Sequence, residues 1–296
     1  MNLREALARA EARLAAAGCA TPGLDARVLL GQVTGLGHAG LLAHGRDALG
    51  ARAARFETLV RRRERREPVA YLTGRKEFFS RSFEVTPAVL VPRPETERVV
   101  EAGLVFLRLG RDRATVVDVG TGSGAIAITL AAQCDGARIT ALDSSPGALA
   151  VARNNARRLL AGEPGARLDL LLADLTTSIA PGSVDLVVAN PPYLSRQEMR
   201  QASPELGFEP PHALAGGGRD GLEVVRRLLG DARRVLRAGG RLLCEIGAAQ
   251  GDSAREIASG LGFAAVEVLL DLEGRARVLK ADAAIAEAGG GTPTGA

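Results

Sequence analysis

The segment VVDVGTGSGAIAITLA, Val116 to Ala131, constrains the fold more than any other stretch of the chain. It sets an apolar strand-like run, a glycine turn from Gly120 to Gly124 and an apolar helix-like run in immediate succession. Glycines let the backbone turn sharply and let a ligand lie against it with no Cβ in the way. About twenty residues on, Asp143 closes the next apolar run, ITALD, where an acid at a strand end can hydrogen-bond both hydroxyls of a ribose. Gly120, Thr121, Gly122, Ser123, Gly124 and Asp143 are thus a candidate adenosyl-binding set. Gly120, Gly122 and Ala125 also satisfy the looser GxGxxG/A fingerprint, so a dinucleotide-dependent oxidoreductase stays open beside a methyltransferase.

From about Thr96 onward, short apolar runs alternate with helical segments: Thr115 to Val119, Arg138 to Leu142, Leu168 to Leu172 and Val184 to Ala189. That rhythm predicts a parallel sheet covered on both faces. A helix over Leu222 to Leu236, a strand over Arg241 to Ile246, another helix and two closing runs, Ala264 to Leu270 and Ala276 to Lys280, predict an antiparallel pair at one edge. Residues 1–66 read as a small all-helical domain, with Asn2 and Asp47 as N-caps, Pro22 at a first helical position and Gly18, Gly35 and Gly45 near helix ends. Glu5 and Glu11 argue against a transit peptide there. Phe78, Phe79, Phe83 and Val85 around Ser80-Arg81-Ser82 predict a hairpin, so residues 67–95 read as a linker. The catalytic domain is expected over 96–281, and 282–296, ending in AGGGTPTGA, as a disordered tail.

With 46% apolar residues in 296, the chain can bury a full core, which excludes a disordered protein. Its 38 basic and 34 acidic residues leave a net charge of +4, a slight excess that permits a nucleic-acid or ribosomal partner without requiring one. The basic stretch Arg61 to Arg66 reads as the solvated end of a helix. Cys19, Cys134 and Cys244 are odd in number and widely spaced, as in reduced core positions of a cytosolic protein. With His38, His44 and His212 they form no metal-ligand spacing, so no metal is expected. No apolar run approaches the roughly 20 residues needed to cross a bilayer.

At the end of the fourth run, DLVVANPPYL brings Asn190-Pro191-Pro192-Tyr193 to the carboxyl edge of the sheet, where ligands of open α/β sheets bind. A planar amide or amine nitrogen is a weak nucleophile, so its catalyst must orient it and stabilise the charge that develops during attack. Asn190 offers a side-chain oxygen and Pro191 a carbonyl, one for each N–H of the substrate. The two prolines stiffen the loop and add no competing donor, and Tyr193 can stack on the planar group. Without a ligand, the same tetrapeptide would be a rigid turn with an aromatic plug.

Four segments together resemble the HemK/PrmC family, the peptide chain release factor glutamine methyltransferases. They are EPVAYLTGRKEFFSRSFEVTPAVLVPRPETE (67–97), DVGTGSGAIAI, NPPY and FEPPHALAGGGRDGL (208–222). The resemblance implies a Rossmann-like class I methyltransferase domain with a mostly parallel seven-stranded sheet, joined through a hairpin to the helical domain. It implies S-adenosyl-L-methionine held by Gly120 to Gly124, Asp143 and Asn190, with Asp174 and Leu175 near the adenine. It also implies that Asn190 to Tyr193 grip the glutamine of the release factor's GGQ loop. A cytoplasmic monomer acting on protein, with no membrane and no direct nucleic-acid substrate, is the matching expectation. NPPY is shared with adenine-N6 methyltransferases, and a related enzyme class methylates a ribosomal-protein glutamine, so both remain alternatives. Pro92 to Glu97 would border the cofactor pocket or simply cap a helix, and Asp118 would act behind the site or only locally. Phe208-Glu209-Pro210 would shape the substrate side.

Overall fold

The structure, a computed structural model, describes residues 1–109, 113–163 and 165–285. Its described residues divide into two compact units, one of residues 1–76, 85–87 and 202–209, the other of residues within 77–84, 88–201 and 210–285.

The first unit is built from helices α1 (Leu3–Ala16), α2 (Pro22–Thr34), α3 (His38–Ala43), α4 (Ala53–Glu64) and α5 (Val69–Thr73). Asn2 caps α1 through a reciprocal box with Glu5, Pro22 opens α2, and Gly35 closes it in the left-handed conformation. Asp47 is not the expected cap. Its backbone carbonyl accepts from Leu3 N, and its carboxylate pairs with His44 Nδ1 at 2.9 Å.

The basic stretch also departs from expectation. Arg63 is buried, donating to Asp25 at 2.7 Å and to Glu205 at 3.0 Å, while Arg66 grips both oxygens of Glu205 at 2.7 and 2.8 Å. The solvated reading failed because the partner carboxylate comes from a segment 139 residues away in sequence. Burial alone would raise the Glu205 carboxyl, but the hydrogen bonds from Arg66 and Arg63 outweigh it and hold it at about 2.

The second unit opens with a hairpin, β1 (Arg75–Phe78) and β2 (Arg81–Glu84), whose strand β1 begins within the first unit. Its two-residue turn, Phe79-Ser80, has both φ angles positive, the mirror-image geometry that matches strand twist. Residues 77–84 are part of the sheet-bearing unit: fully buried Asn155 bonds the backbone N–H and carbonyl of Glu84 and also the carbonyl of Ser123.

After α6 (Glu97–Arg108) come β3 (Thr115–Val119), α7 (Ala125–Gln133), β4 (Arg138–Asp143), α8 (Pro146–Leu159), β5 (Arg167–Leu172), β6 (Val184–Ala189), α9 (Arg196–Gln201), α10 (Glu223–Val235), β7 (Leu236–Glu245), α11 (Gly251–Gly260), β8 (Phe263–Leu270) and β9 (Ala276–Ala283). The seven-stranded sheet runs β5-β4-β3-β6-β7-β9-β8, parallel through β7 and antiparallel in the last two pairings. Every residue of β6 is buried, as a two-faced parallel strand requires.

The chain leaves β3 toward β5 and returns with β6 on the opposite side of β3. This reversal opens a crevice at the carboxyl ends of β3 and β6. The last strand continues beyond Lys280 to Ala283, so Asp282 and Ala283 are sheet residues and not tail. Of the expected disordered tail, residues 286–296 lie outside the described residues.

Glu205→Gln removes a carboxylate held at about 2 against an ordinary 4.5, a depression worth about 3 kcal/mol at ~1.4 kcal/mol per tenfold in proton affinity. Because the folded value is depressed, this stability is present above about pH 4.5 and is lost as the pH falls toward 2. Urea unfolding of wild type and variant should therefore show the gap at pH 7 and a much smaller one at pH 2.5. An equal gap at both would remove the ion-pair account.

Candidate active site

The glycine turn follows β3 directly. Gly120, Gly122 and Gly124 have φ of 73°, 56° and 83°, which side-chain-bearing residues rarely adopt. The N–H groups of Gly120 and Thr121 both bond the Leu142 carbonyl at 2.9 Å, which ties the turn to the end of β4. At Gly120 and Gly122 a Cβ would meet no atom within 4 Å, because each faces open space that a ligand can fill. Gly124 differs. It is absent from the cavity lining, and a Cβ there would come 2.6 Å from Ile128 Cδ1, so this glycine serves the close packing of α7.

Thr121 is buried and donates its hydroxyl to Asp118 Oδ2 at 2.7 Å; Ala127 N donates to the same oxygen at 3.2 Å. Burial pushes the Asp118 carboxyl up to about 7 against these two hydrogen bonds. Asp118 thus fastens the turn to the first turn of α7 from beneath. Asp143 takes Gly122 N on Oδ2 and Ser145 N on Oδ1, at 2.9 and 2.8 Å. Each carboxylate oxygen keeps acceptor capacity for a hydroxyl, which fits a ribose.

These elements line a cavity of about 240 Å³ that also takes in Asp174, Leu175, Thr96, Asn190, Pro191 and Pro192. Asp174 pairs with Arg227 at 2.7 Å. Leu175 is held at φ 48°, a left-handed conformation that costs of order 1–3 kcal/mol for a residue with a side chain. That strain lies at the cavity wall and nothing in the sequence marks it.

Asn190 leaves the end of β6 and donates Nδ2 to Thr96 Oγ1 at 2.9 Å. Thr96, which sits in the Pro92–Glu97 turn, donates in its own right to Glu245 Oε2 at 2.6 Å. Glu245 closes β7 and is fully buried; its other oxygen accepts the Tyr193 hydroxyl at 3.2 Å. Tyr193 is itself outside the cavity lining, with its phenol turned to this carboxylate and its own ionisation pushed up by burial and by Glu245.

The 208–222 segment supports the same loop. Leu194 and Ala215 form a bridge, with Leu194 N bonding Leu214 O and Gly216 N bonding Leu194 O. Gln250 Nε2 donates to the carbonyls of Tyr193 and Asp220 at 2.9 and 2.8 Å. A Cβ on Gly216 would stand 2.7 Å from Tyr193 Cα, and one on Gly221 2.2 Å from the Tyr193 carbonyl oxygen. Gly216 and Gly221 are thus required by backbone contact with the Asn190–Tyr193 loop.

The structure brings together Gly120 to Ser123, Asp143, Asp174, Leu175 and Asn190 to Pro192, and leaves Gly124 and Tyr193 behind the wall. Sequence reasoning had Thr96 only as part of the Pro92–Glu97 turn bordering the pocket, and missed Glu245 and Gln250. The turn PETE and the acid closing LLCE were visible, but their meeting across 149 residues was not.

Two family profiles match the chain, the PrmC N-terminal domain over residues 5–74 and the methyltransferase small domain over residues 102–219. The chain is 43% identical to a release factor glutamine methyltransferase of Cereibacter sphaeroides over 95% of its length and 98% of that protein's. It is 44% identical to one from Moorella thermoacetica, over 94% and 97%. Among solved structures, a methyltransferase from Pyrococcus furiosus aligns with a TM-score of 0.51 at 19% identity, covering 71% of this chain and 92% of that one, a likeness of fold.

Gly221→Ala places a side chain at φ 75° against the Tyr193 carbonyl and should destabilise the protein by about 2 kcal/mol or more. Gly230→Ala, in α10 with open space around it, should stabilise by about 0.5–1 kcal/mol. Denaturant midpoints compare the two, and hydrogen exchange at residues 193–195 should rise only in the first. Equal midpoints would mean that the glycine segment does not fix the loop.

Proposed function

The chain belongs to the release factor glutamine methyltransferases, and from that premise we infer that it transfers a methyl group from S-adenosyl-L-methionine to the side-chain amide nitrogen of a glutamine in a peptide chain release factor. Membership sets aside the dinucleotide-dependent oxidoreductase, and the named relatives do not favour adenine or a ribosomal protein as acceptor.

The observation that carries the site reading is the adjacency of a Cβ-free glycine turn with its ribose-competent acid and an amide-presenting loop on one cavity wall. S-adenosylmethionine supplies an electrophilic methyl on a sulfonium. On the reading proposed here, Asp143 holds the ribose hydroxyls, the turn from Gly120 to Ser123 lies against the amino-acid end, and Asp174 and Leu175 border the adenine.

Asn190 Oδ1 and the Pro191 carbonyl each take one N–H of the substrate amide. Those two bonds would hold the nitrogen's lone pair toward the methyl and raise its electron density; as the N–C bond replaces the S–C bond, S-adenosylhomocysteine is the leaving group and the nitrogen gives up one of its two hydrogens as a proton to solvent. Pro192 keeps the loop stiff, and Tyr193, behind the cavity wall with its hydroxyl on Glu245, anchors the far end of that loop and does not stack on the substrate.

The glutamine is proposed to be that of the GGQ loop, with the helical unit of residues 1–76 and 202–209 holding the body of the release factor. A monomer working in the cytoplasm is part of the same proposal. Among the described residues no helix is long and apolar enough to cross a membrane.

Peptide mass spectrometry of release factor incubated with the protein and S-adenosylmethionine should find one methyl on the GGQ glutamine. Asn190→Ala should lower kcat about 10²- to 10³-fold, the scale of one oriented hydrogen bond in a transition state. A methyl on another residue, or full turnover in the variant, would contradict the reading.

A further inference from the structure

We propose that Glu245 is a positioning residue whose carboxylate, by taking the hydroxyl hydrogens of Thr96 and Tyr193, compels Asn190 to present Oδ1 and not Nδ2 to the substrate amide. The inference deepens the functional reading above and rests on its use of Asn190 as an acceptor.

A threonine hydroxyl has one hydrogen to give, and Thr96 gives it to Glu245 at 2.6 Å, the short contact expected of a donor facing a carboxylate. The Thr96 oxygen can then act toward Asn190 only as an acceptor. The end of the Asn190 amide 2.9 Å away must therefore be the N–H₂ group. An amide pinned by its nitrogen points its oxygen the other way, and Asn190 lies on the cavity wall. Among the described residues Oδ1 takes no hydrogen bond, so it is free for a ligand.

The alternative orientation defeats the chemistry. A glutamine amide nitrogen brings two donors, and an inverted Asn190 would oppose them with donors of its own. The discrimination needs an acceptor-only group behind Thr96, and a carboxylate is the side chain with that property. A fully buried one is costly unless hydrogen-bonded, and both its oxygens are, at 2.6 and 3.2 Å. The second bond goes to Tyr193, so a single carboxylate fixes the two ends of the Asn190–Tyr193 loop.

The groups that face Glu245 are the Thr96 hydroxyl and Glu95 carboxylate from the turn before α6, the Tyr193 phenol from the loop after β6, Arg277 from β9 and the Cys244 thiol on its own strand. Burial, aided by Glu95, raises the Glu245 carboxyl to about 6, against the two hydroxyl bonds and the Arg277 charge. Arg277 donates to Asp271 at 3.2 Å. On protonation Glu245 becomes a donor, Thr96 is released to donate to Asn190 Oδ1, and the amide is free to invert. Turnover should thus be present above about pH 6 and fall as the pH drops through it.

The test uses the full-length protein with S-adenosylmethionine and release factor. Glu245→Gln should lower kcat about 10- to 100-fold at pH 7.5 with each KM within about threefold, and should lose the acid limb near pH 6. Thr96→Val should match that loss, Thr96→Ser should recover most of it, and the double variant Glu245→Gln/Thr96→Val should be no slower than either parent. Wild-type kcat and an unchanged acid limb in Glu245→Gln, or multiplying losses in the double variant, would overturn the proposal. If Glu245→Gln does not fold, the Thr96→Val and Thr96→Ser pair decides.

A second readout is independent of turnover. The Asn190 side-chain amide, assigned by its loss from the ¹⁵N spectrum of Asn190→Ala, should show one proton protected from exchange in the free wild type and none in Thr96→Val. Wild-type protein that moves no methyl to release factor would end the functional reading, and this amide signal would still support or refute the orientation.

Discussion

Parallel pairing of β3 with β6 is the constraint on which the rest of the site depends. Val119 lies opposite Ala189, the last residues of their strands, so the glycine turn and the Asn190–Tyr193 loop leave the sheet one strand spacing apart, about 4.8 Å. On the other side of β3, Val119 pairs with Leu142, and Asp143 follows immediately. Three strand ends thus deliver the ribose acid, the Cβ-free turn and the amide-presenting loop to one edge. A one-residue slip of β6 would turn Asn190 to the opposite face.

Beneath that edge lies a layer of buried polar side chains that hold the loops in place. Asp118 fastens the glycine turn, Asn155 joins it to the hairpin, Gln250 clasps the carbonyls of Tyr193 and Asp220, and Glu245 links Thr96 to Tyr193. An apolar plug could fill the same space, but it could not dictate which end of an amide faces a ligand. Hydrogen-bond direction carries that information, and it originates in a carboxylate that does not line the cavity.

What was legible in the sequence is what depends on near neighbours in the chain. The strand, turn and helix around Gly120, the acid closing ITALD, the rigid NPPY loop and the capping of α1 by Asn2 all rest on local periodicity, glycine conformation and short-range hydrogen bonds, and each is seen. What depends on long-range partners was illegible. Arg63 and Arg66 looked solvated until Glu205 met them, and Asp47 looked like a cap although the backbone around it pairs with the start of α1. Gly216 and Gly221 carried no role of their own in the sequence, yet backbone atoms of Tyr193 stand where their Cβ atoms would be. Glu245 gave no signal and Thr96 only that of its turn at the pocket's border, since their contact is made by the fold alone.

The central claim is that Asn190 holds the substrate amide by its oxygen while Thr96 holds its nitrogen. A high-resolution structure of the protein with S-adenosylhomocysteine and a glutamine-bearing release-factor fragment tests it most directly. The account predicts the glutamine nitrogen about 3 Å from both Asn190 Oδ1 and the Pro191 carbonyl, with Asn190 Nδ2 still on Thr96. A glutamine bound away from Asn190, or an Asn190 amide turned with Nδ2 toward it, would contradict the account.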